Sequence, residues 1–150
     1  AGAPFVTRGD KSGTHVAEME LWKAAGINPA GTWYVVFEKG SEGNLATLRF
    51  NDQKRAYTVI DRATFLALQK EVKLAVLVEG DEALLNRITL IPVNPGKCPQ
   101  ANLKETIIFV DWLTDPNKGQ RFIETFGVEK YGKPMFFPDS IPWRQHGGGK

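Results

Sequence analysis

An α/β fold with a mainly parallel sheet is predicted by three features of this 150-residue chain. Short β-branched or aromatic runs alternate with segments of helical periodicity, and glycine or proline punctuates most of the junctions. Two strand-to-helix turns also carry hydroxyl and guanidinium groups, at the end of the strands where folds of this class place their ligands.

The elements follow in order. Residues 3–6 are a short apolar run that reads as a strand. From Val16 the residues Val16, Ala17, Met19, Leu21, Trp22, Ala24 and Ala25 give a mostly apolar helix, with Gly26 placed to end it as its C′ residue. Residues 33–37 read as a strand, and Gly40 and Gly43 open a helical segment marked by Leu45, Leu48 and Phe50. A strand is expected over 57–60, followed by a helix over 62–70 for which Asp61 is the N-cap, its carboxylate accepting from free N–H groups of the first turn. Residues 74–78 and 88–93 are β-branched, bounded runs of the kind that form buried strands, the second stopped by Asn94-Pro95-Gly96. A helix rich in large apolar groups is expected over 103–113, ended by Asp115-Pro116, and a shorter one over 119–126, closed by Gly127. Pro134, Pro138 and Pro142 make the remainder an irregular strap with Phe136, Phe137 and Trp143 available for packing, while Gly147, Gly148 and Gly149 are expected to be mobile.

Composition narrows the function classes. Nineteen Lys and Arg against 17 Asp and Glu leave a net charge of only +2, which gives no whole-molecule field suited to nucleic acid or to a membrane surface. Any anion preference must be local. No apolar stretch approaches the roughly 20 residues that span a bilayer, so direct membrane insertion is not expected. Ala1 does not open a basic and apolar leader segment. The single cysteine, Cys98, excludes an intrachain disulfide and a multi-cysteine metal site, and reads as an incidental loop thiol.

The most informative segment is Thr7-Arg8-Gly9-Asp10-Lys11-Ser12-Gly13-Thr14-His15, which joins the first strand to the first helix. A helix N-terminus leaves backbone N–H groups without intrahelical partners and carries about half a positive charge, so it holds an anion without a dedicated cation. Arg8 adds a planar fork of charged donors, Ser12 and Thr14 add hydroxyls, and Gly13 lets a ligand approach the backbone closely. The candidate anion-binding residues are therefore Arg8, Ser12, Gly13 and Thr14, with Thr58 and Arg62 added from the second strand-to-helix turn. No metal ligand or cofactor is expected. A Ser12–His15 nucleophilic pair is conceivable, but no acid partner can be named for it, so no catalytic residue is assigned. The bland alternative is an ordinary glycine-rich turn with Arg8 on the surface and Ser12 or Thr14 merely capping.

At this point a resemblance enters. The run Phe5-Val6-Thr7-Arg8-Gly9-Asp10-Lys11-Ser12-Gly13-Thr14-His15, with Glu20-Leu21-Trp22-Lys23-Ala24-Ala25-Gly26-Ile27, strongly resembles the tungstate-binding proteins of bacterial ABC transporters. Further agreement comes from Gly31-Thr32-Trp33-Tyr34, from Ala56-Tyr57-Thr58-Val59-Ile60-Asp61-Arg62, from Leu77-Val78-Glu79-Gly80-Asp81 and from Phe109-Val110-Asp111-Trp112-Leu113-Thr114. The resemblance implies periplasmic-binding-protein-like lobes of type II, each with a mainly parallel sheet flanked by helices, closing over an oxyanion without catalysis. Two departures stand out. The family's Thr/Ser-rich opening loop has no counterpart, so the chain resembles the C-terminal portion of such a protein with the N-terminal lobe segment absent. Glu38, in Phe37-Glu38-Lys39-Gly40, also stands where the family tends to carry a Gly-Gln-Gly-Met-like stretch.

On that reading residues 1–75 form part of the second, inner lobe and carry the anion motif, 76–143 return into the first lobe, and 144–150 are a flexible tail. The expected ligand is a tetrahedral oxyanion, tungstate or molybdate, and the expected partner is an ABC transporter permease in a periplasmic or extracytoplasmic compartment. Nucleic acid is not an expected partner; self-association of such a truncated chain is a further candidate interaction. The alternatives are a phosphate- or sulfate-binding transport protein of the same fold, or a cytoplasmic oxyanion-sensing domain of a transcription regulator. Chemistry separates some of these. Tungstate and molybdate carry no proton near neutral pH, whereas phosphate is partly protonated and gains from a carboxylate acceptor, so Asp10 or Asp61 facing the ligand would favour phosphate.

Overall fold

Strand β1 (Phe5–Thr7) is the axis of the first half of the chain, and a computed structural model describing residues 2–148 shows it paired on both edges. On one side it runs parallel to β2 (Tyr34–Val36), in the register Phe5↔Tyr34, Val6↔Val35 and Thr7↔Val36. On the other it forms a parallel bridge to Tyr57, closed by Val6 N–H to Tyr57 O at 2.8 Å and Tyr57 N–H to Pro4 O at 2.9 Å. The predicted strand over 57–60 stops at that single bridge. In a continued parallel ladder the amide two residues beyond Tyr57 would donate to Val6 O; instead the Thr58 hydroxyl donates to that oxygen at 2.8 Å.

The helices of this half follow the sequence closely. Helix α1 (Gly13–Ala24) ends with Gly26 in the left-handed region at φ 68, as its C′ glycine requires. A short 3-10 turn, Gly40–Glu42, leads into α2 (Asn44–Lys54), and α3 (Arg62–Leu68) is capped by Asp61, whose carboxylate accepts from Thr64 N–H at 2.8 Å. The deepest apolar side chains among the described residues, Val6, Leu48, Leu66 and Leu68, come from β1, α2 and α3, so these three elements build the core of this half. Glu18 is buried as well, its carboxylate accepting from Tyr34 Oη at 2.7 Å and Trp22 Nε1 at 3.0 Å. Burial and that carboxylate push the Tyr34 phenol up to about 12, with the Thr7 hydroxyl opposing them.

Residues 74–78 and 88–93 form no strand. Leu77, Val78, Ile88 and Ile91 are 70%, 69%, 77% and 82% exposed, because among the described residues no neighbouring strand pairs with either segment. A β-branched run is only half of the requirement for a strand; the ladder partner is the other half.

The chain divides into two compact units, one up to Asn86 and one from Arg87 onward. The second is helical: α4 (Leu103–Thr114), α5 (Gly119–Thr125), α6 (Val128–Tyr131) and α7 (Ile141–Gln145). Asn102 caps α4, and, as the sequence anticipates, Asp115 follows that helix and Gly127, left-handed at φ 90, follows α5. Buried Gln120 pins the unit together: its Nε2 donates to Leu113 O at 2.8 Å and its Oε1 accepts from Asp139 and Ser140 N–H, each at 3.0 Å. The proline-rich strap is more ordered than expected, since Ser140 caps α7 and also donates to Thr114 O at 2.7 Å. Gly148 N–H closes back on Trp143 O at 3.2 Å; Gly149, also expected to be mobile, lies outside the described residues.

Candidate anion-binding site

Strand β1 delivers the loop 8–12 to the start of α1, and the helix begins without a side-chain cap. Ser12 occupies the N-cap position in extended backbone (φ −67, ψ 168), the conformation that lets a serine hydroxyl accept from the first turn, yet it makes no such bond. The first backbone bond of the helix is Val16 N–H to Ser12 O at 2.9 Å, so the amides of Gly13, Thr14 and His15 precede the ladder and have no intrahelical partner. At Gly13, moreover, an added Cβ would meet nothing within 4 Å, which leaves open space over the backbone at the helix start.

Arg8 lies against this opening. Its side chain is only 11% exposed, fixed by Nη2 to Asp10 Oδ2 at 2.5 Å, by Nη2 to Gly40 O at 3.1 Å, and by Nη1 to Asn44 Oδ1. Gly40 has to be glycine for this approach, because a Cβ there would overlap the Arg8 carbonyl. Two polar atoms are left over. Arg8 Nε and Ser12 Oγ are both buried and neither makes a hydrogen bond. Buried donors are normally paired, and two orphans in the loop that leads into a helix start are groups a ligand would complete.

The surrounding loop is held by its own contacts. Asp10 receives Ser12 N–H at 3.1 Å on Oδ1 in addition to Arg8 on Oδ2. Burial disfavours its ionised form, but the nearby Ser12 hydroxyl, the Ser12 amide and the hydrogen-bonded, charged Arg8 outweigh that, and the Asp10 pKa is lowered from 3.8 to about 2. The Ser12 hydroxyl is thus close enough to favour the carboxylate without reaching proper hydrogen-bond geometry. Lys11 adopts a left-handed φ of 60, uncommon for a residue with a Cβ, and its amide donates to His15 Nδ1 at 2.9 Å. His15 therefore braces the loop with its acceptor nitrogen instead of facing Ser12 as a base. A shallow groove lined by Lys11, His15, Val16, Met19, Glu20 and Lys23 includes neither Arg8 nor Ser12.

Of the six residues named from the sequence, the structure brings Arg8, Ser12, Gly13 and Thr14 together. Thr58 and Arg62 it places in other contacts: the Thr58 hydroxyl donates to Val6 O, and Arg62 Nη1 reaches Glu79 Oε2 at 2.6 Å. Both aspartates turn to structural partners, Asp10 to Arg8 and Ser12, Asp61 to the cap of α3. Glu38 is exposed. The residue that sequence reasoning missed is Asn44, which opens α2. Its Oδ1 accepts from Arg8, and its Nδ2 donates to Thr14 Oγ1 at 3.2 Å and to Asp61 Oδ2 at 2.5 Å. Only the glycines that open the helix, Gly40 and Gly43, were visible, and they say nothing of contacts that the next residue makes 30 and 36 positions back along the chain. No group of three or more His, Cys, Asp or Glu able to hold a metal occurs among the described residues, and no helix among them is long and apolar enough to cross a membrane.

With this geometry in place, comparison with known proteins is informative. The model of the PBP superfamily domain matches residues 1–117. The chain belongs to the PBP superfamily. It is 40% identical to the tungstate-binding protein TupA of Peptoclostridium acidaminophilum over 136 residues, covering 91% of this chain and 46% of that protein. It is likewise 40% identical over 146 residues to a putative ABC transporter anion-binding protein of Haloferax volcanii, covering 94% of this chain and 41% of that one. Among solved structures, the tungstate-binding protein TupA from Desulfovibrio alaskensis G20 superposes with a TM-score of 0.72 at 36% identity, over 93% of this chain and 56% of the other. The chain thus spans about half the length of the curated relatives it matches. The resemblance to tungstate-binding solute-binding proteins stated from the sequence is borne out, and so is the α/β class, with a smaller sheet than the sequence suggests.

Proposed function

We propose that this chain contributes the donor set for a tetrahedral, fully deprotonated oxyanion, tungstate or molybdate, in a solute-binding protein that hands its ligand to an ABC transporter permease outside the cytoplasm. The observation that carries the reading is the pair of buried, unpartnered donors, Arg8 Nε and Ser12 Oγ, beside the uncapped start of α1. The names of the relatives, tungstate-binding and anion-binding, support it. Arg8 supplies charge, Ser12 and Thr14 supply hydroxyls, and the Gly13 and Thr14 amides complete the cradle with the positive end of the helix dipole.

The chemistry of the surroundings favours an anion without a proton. The carboxylate oxygens of Asp10 and Asp61 already accept from protein donors, so neither is presented to a ligand that has a proton to give. Binding, not turnover, is the role assigned, since His15 spends its acceptor nitrogen on Lys11.

Titration calorimetry with tungstate, molybdate, sulfate and phosphate tests this. Saturable binding of tungstate or molybdate, tighter than phosphate at neutral pH, is the expected result. Binding of phosphate in preference, or of none of the four, would overturn it.

A further inference from the structure

We infer that Asn44 is the positioning residue that makes the cradle donor-only and thereby sets its preference for proton-free anions; this rests on the function proposed above. One carboxamide ties together three separate segments: Arg8 after β1, Thr14 in the first turn of α1, and Asp61 at the cap of α3. Its orientation is fixed by charge. Turning the amide over would set its NH2 against the Arg8 guanidinium and its oxygen against the Asp61 carboxylate, both repulsive.

Each of the three contacts changes what a neighbour can offer an anion. By accepting from Nη1, Asn44 joins Asp10 and Gly40, the acceptors of Nη2, in holding the guanidinium, and Nε is the nitrogen left buried and unpartnered. By donating to Thr14 Oγ1 at 3.2 Å, it fills a lone pair of that hydroxyl and leaves the hydroxyl proton to be given elsewhere. By donating to Asp61 Oδ2 at 2.5 Å, alongside Thr64 Oγ1 at 2.6 Å, it occupies the one nearby carboxylate oxygen that the backbone cap does not use. An Asn does all three at once because it is both donor and acceptor. An aspartate of the same shape could not, since it would face Asp61 with a second carboxylate and would add an acceptor to the site.

The test is the ratio of tungstate to phosphate affinity in Asn44→Asp, with circular dichroism to show that the fold is retained. A ratio reduced at least tenfold is expected, tungstate weakening and phosphate holding or gaining as pH falls from 8 to 6. An unchanged ratio, or equal weakening of both anions, would mean that Asn44 is only a structural tie and would overturn the inference. A second readout keeps the inference separable from the binding reading. In 15N NMR of the unliganded chain, Asn44→Ala is expected to move and broaden the Arg8 Nε–H resonance while Arg49 Nε–H stays in place. An unmoved Arg8 resonance overturns the positioning role whether or not any anion binds. Absence of binding by the wild-type chain combined with a moved Arg8 resonance would count against the proposed function and leave the positioning role supported.

Discussion

Two strand-to-helix junctions in the first unit have nearly the same ingredients and opposite outcomes. One joins β1 to α1 with Arg8, Asp10, Ser12 and Thr14; the other joins the Tyr57 bridge to α3 with Thr58, Asp61 and Arg62. At the second, the visible polar groups are spent on protein: the hydroxyl on Val6 O, the carboxylate on the N-terminus of α3, the guanidinium in a contact with Glu79. At the first, the aspartate holds the arginine and the Ser12 amide, the cap hydroxyl makes no bond to the helix, and two buried donors remain. The presence of Arg, Thr and Ser does not make an anion site. Donors remain for a ligand where local acceptors run out first, and on the function proposed above that junction is the one between β1 and α1.

The comparison can be broken from either side. The largest expected effect separates the two arginines. Arg8→Ala should weaken oxyanion binding at least tenfold, a loss of about 1.5–3 kcal/mol for a charge-assisted contact, whereas Arg62→Ala should leave the affinity within about twofold and cost roughly 0–1 kcal/mol of stability, as for other solvent-exposed pairs. Calorimetry on the two variants decides it, and a tenfold loss in Arg62→Ala would return that residue to the ligand set. The hydroxyls give a smaller contrast. Ser12→Ala should lower affinity about fivefold with stability unchanged, while Thr58→Val should cost about 1 kcal/mol in a denaturant midpoint with affinity unchanged, each corresponding to about one neutral hydrogen bond.

The smallest effect appears only in acid. Because the folded pKa of Asp10 is lowered to about 2 from 3.8, its contribution to stability is present in full above the ordinary carboxylate range and is lost as pH falls from about 4 through 2. Asp10→Asn should therefore unfold with a shallower dependence on pH over that window than the wild type, measured by circular dichroism. Superimposable acid curves would show that Arg8 and Ser12 do not hold the carboxylate in its ionised form.

How much of this was legible in the sequence differs by element. The β1–α1 junction, the Gly26 terminator, the Asp61 cap and the Asp115-Pro116 stop are local devices, in which a few neighbouring residues decide the geometry, and each stands where the sequence puts it. Of the strands expected from β-branched content, the one over 57–60 is reduced to its Tyr57 bridge and those over 74–78 and 88–93 did not form, because a strand needs a partner and composition cannot supply one. Asn44 was invisible for a related reason. It acts across 30 and 36 residues of sequence on Thr14 and Arg8, and across 17 on Asp61. Gln120, pinning residues 19 and 20 positions away, is the same case in the second unit.

The sequence by itself determined the elements on which the proposed anion cradle rests: a strand, a loop bearing Arg8 and Ser12, and a helix start with open backbone at Gly13 are all encoded within nine residues. Only the tertiary structure decided which groups would still be free to hold it. A hydrogen-bonding atom can be satisfied by any partner that folding brings within about 3 Å, and it was the arrival of Asn44, Asp10 and Gly40 around Arg8, and of Val6 O at Thr58, that left Arg8 Nε without a partner at one junction and engaged the Thr58 hydroxyl at the other.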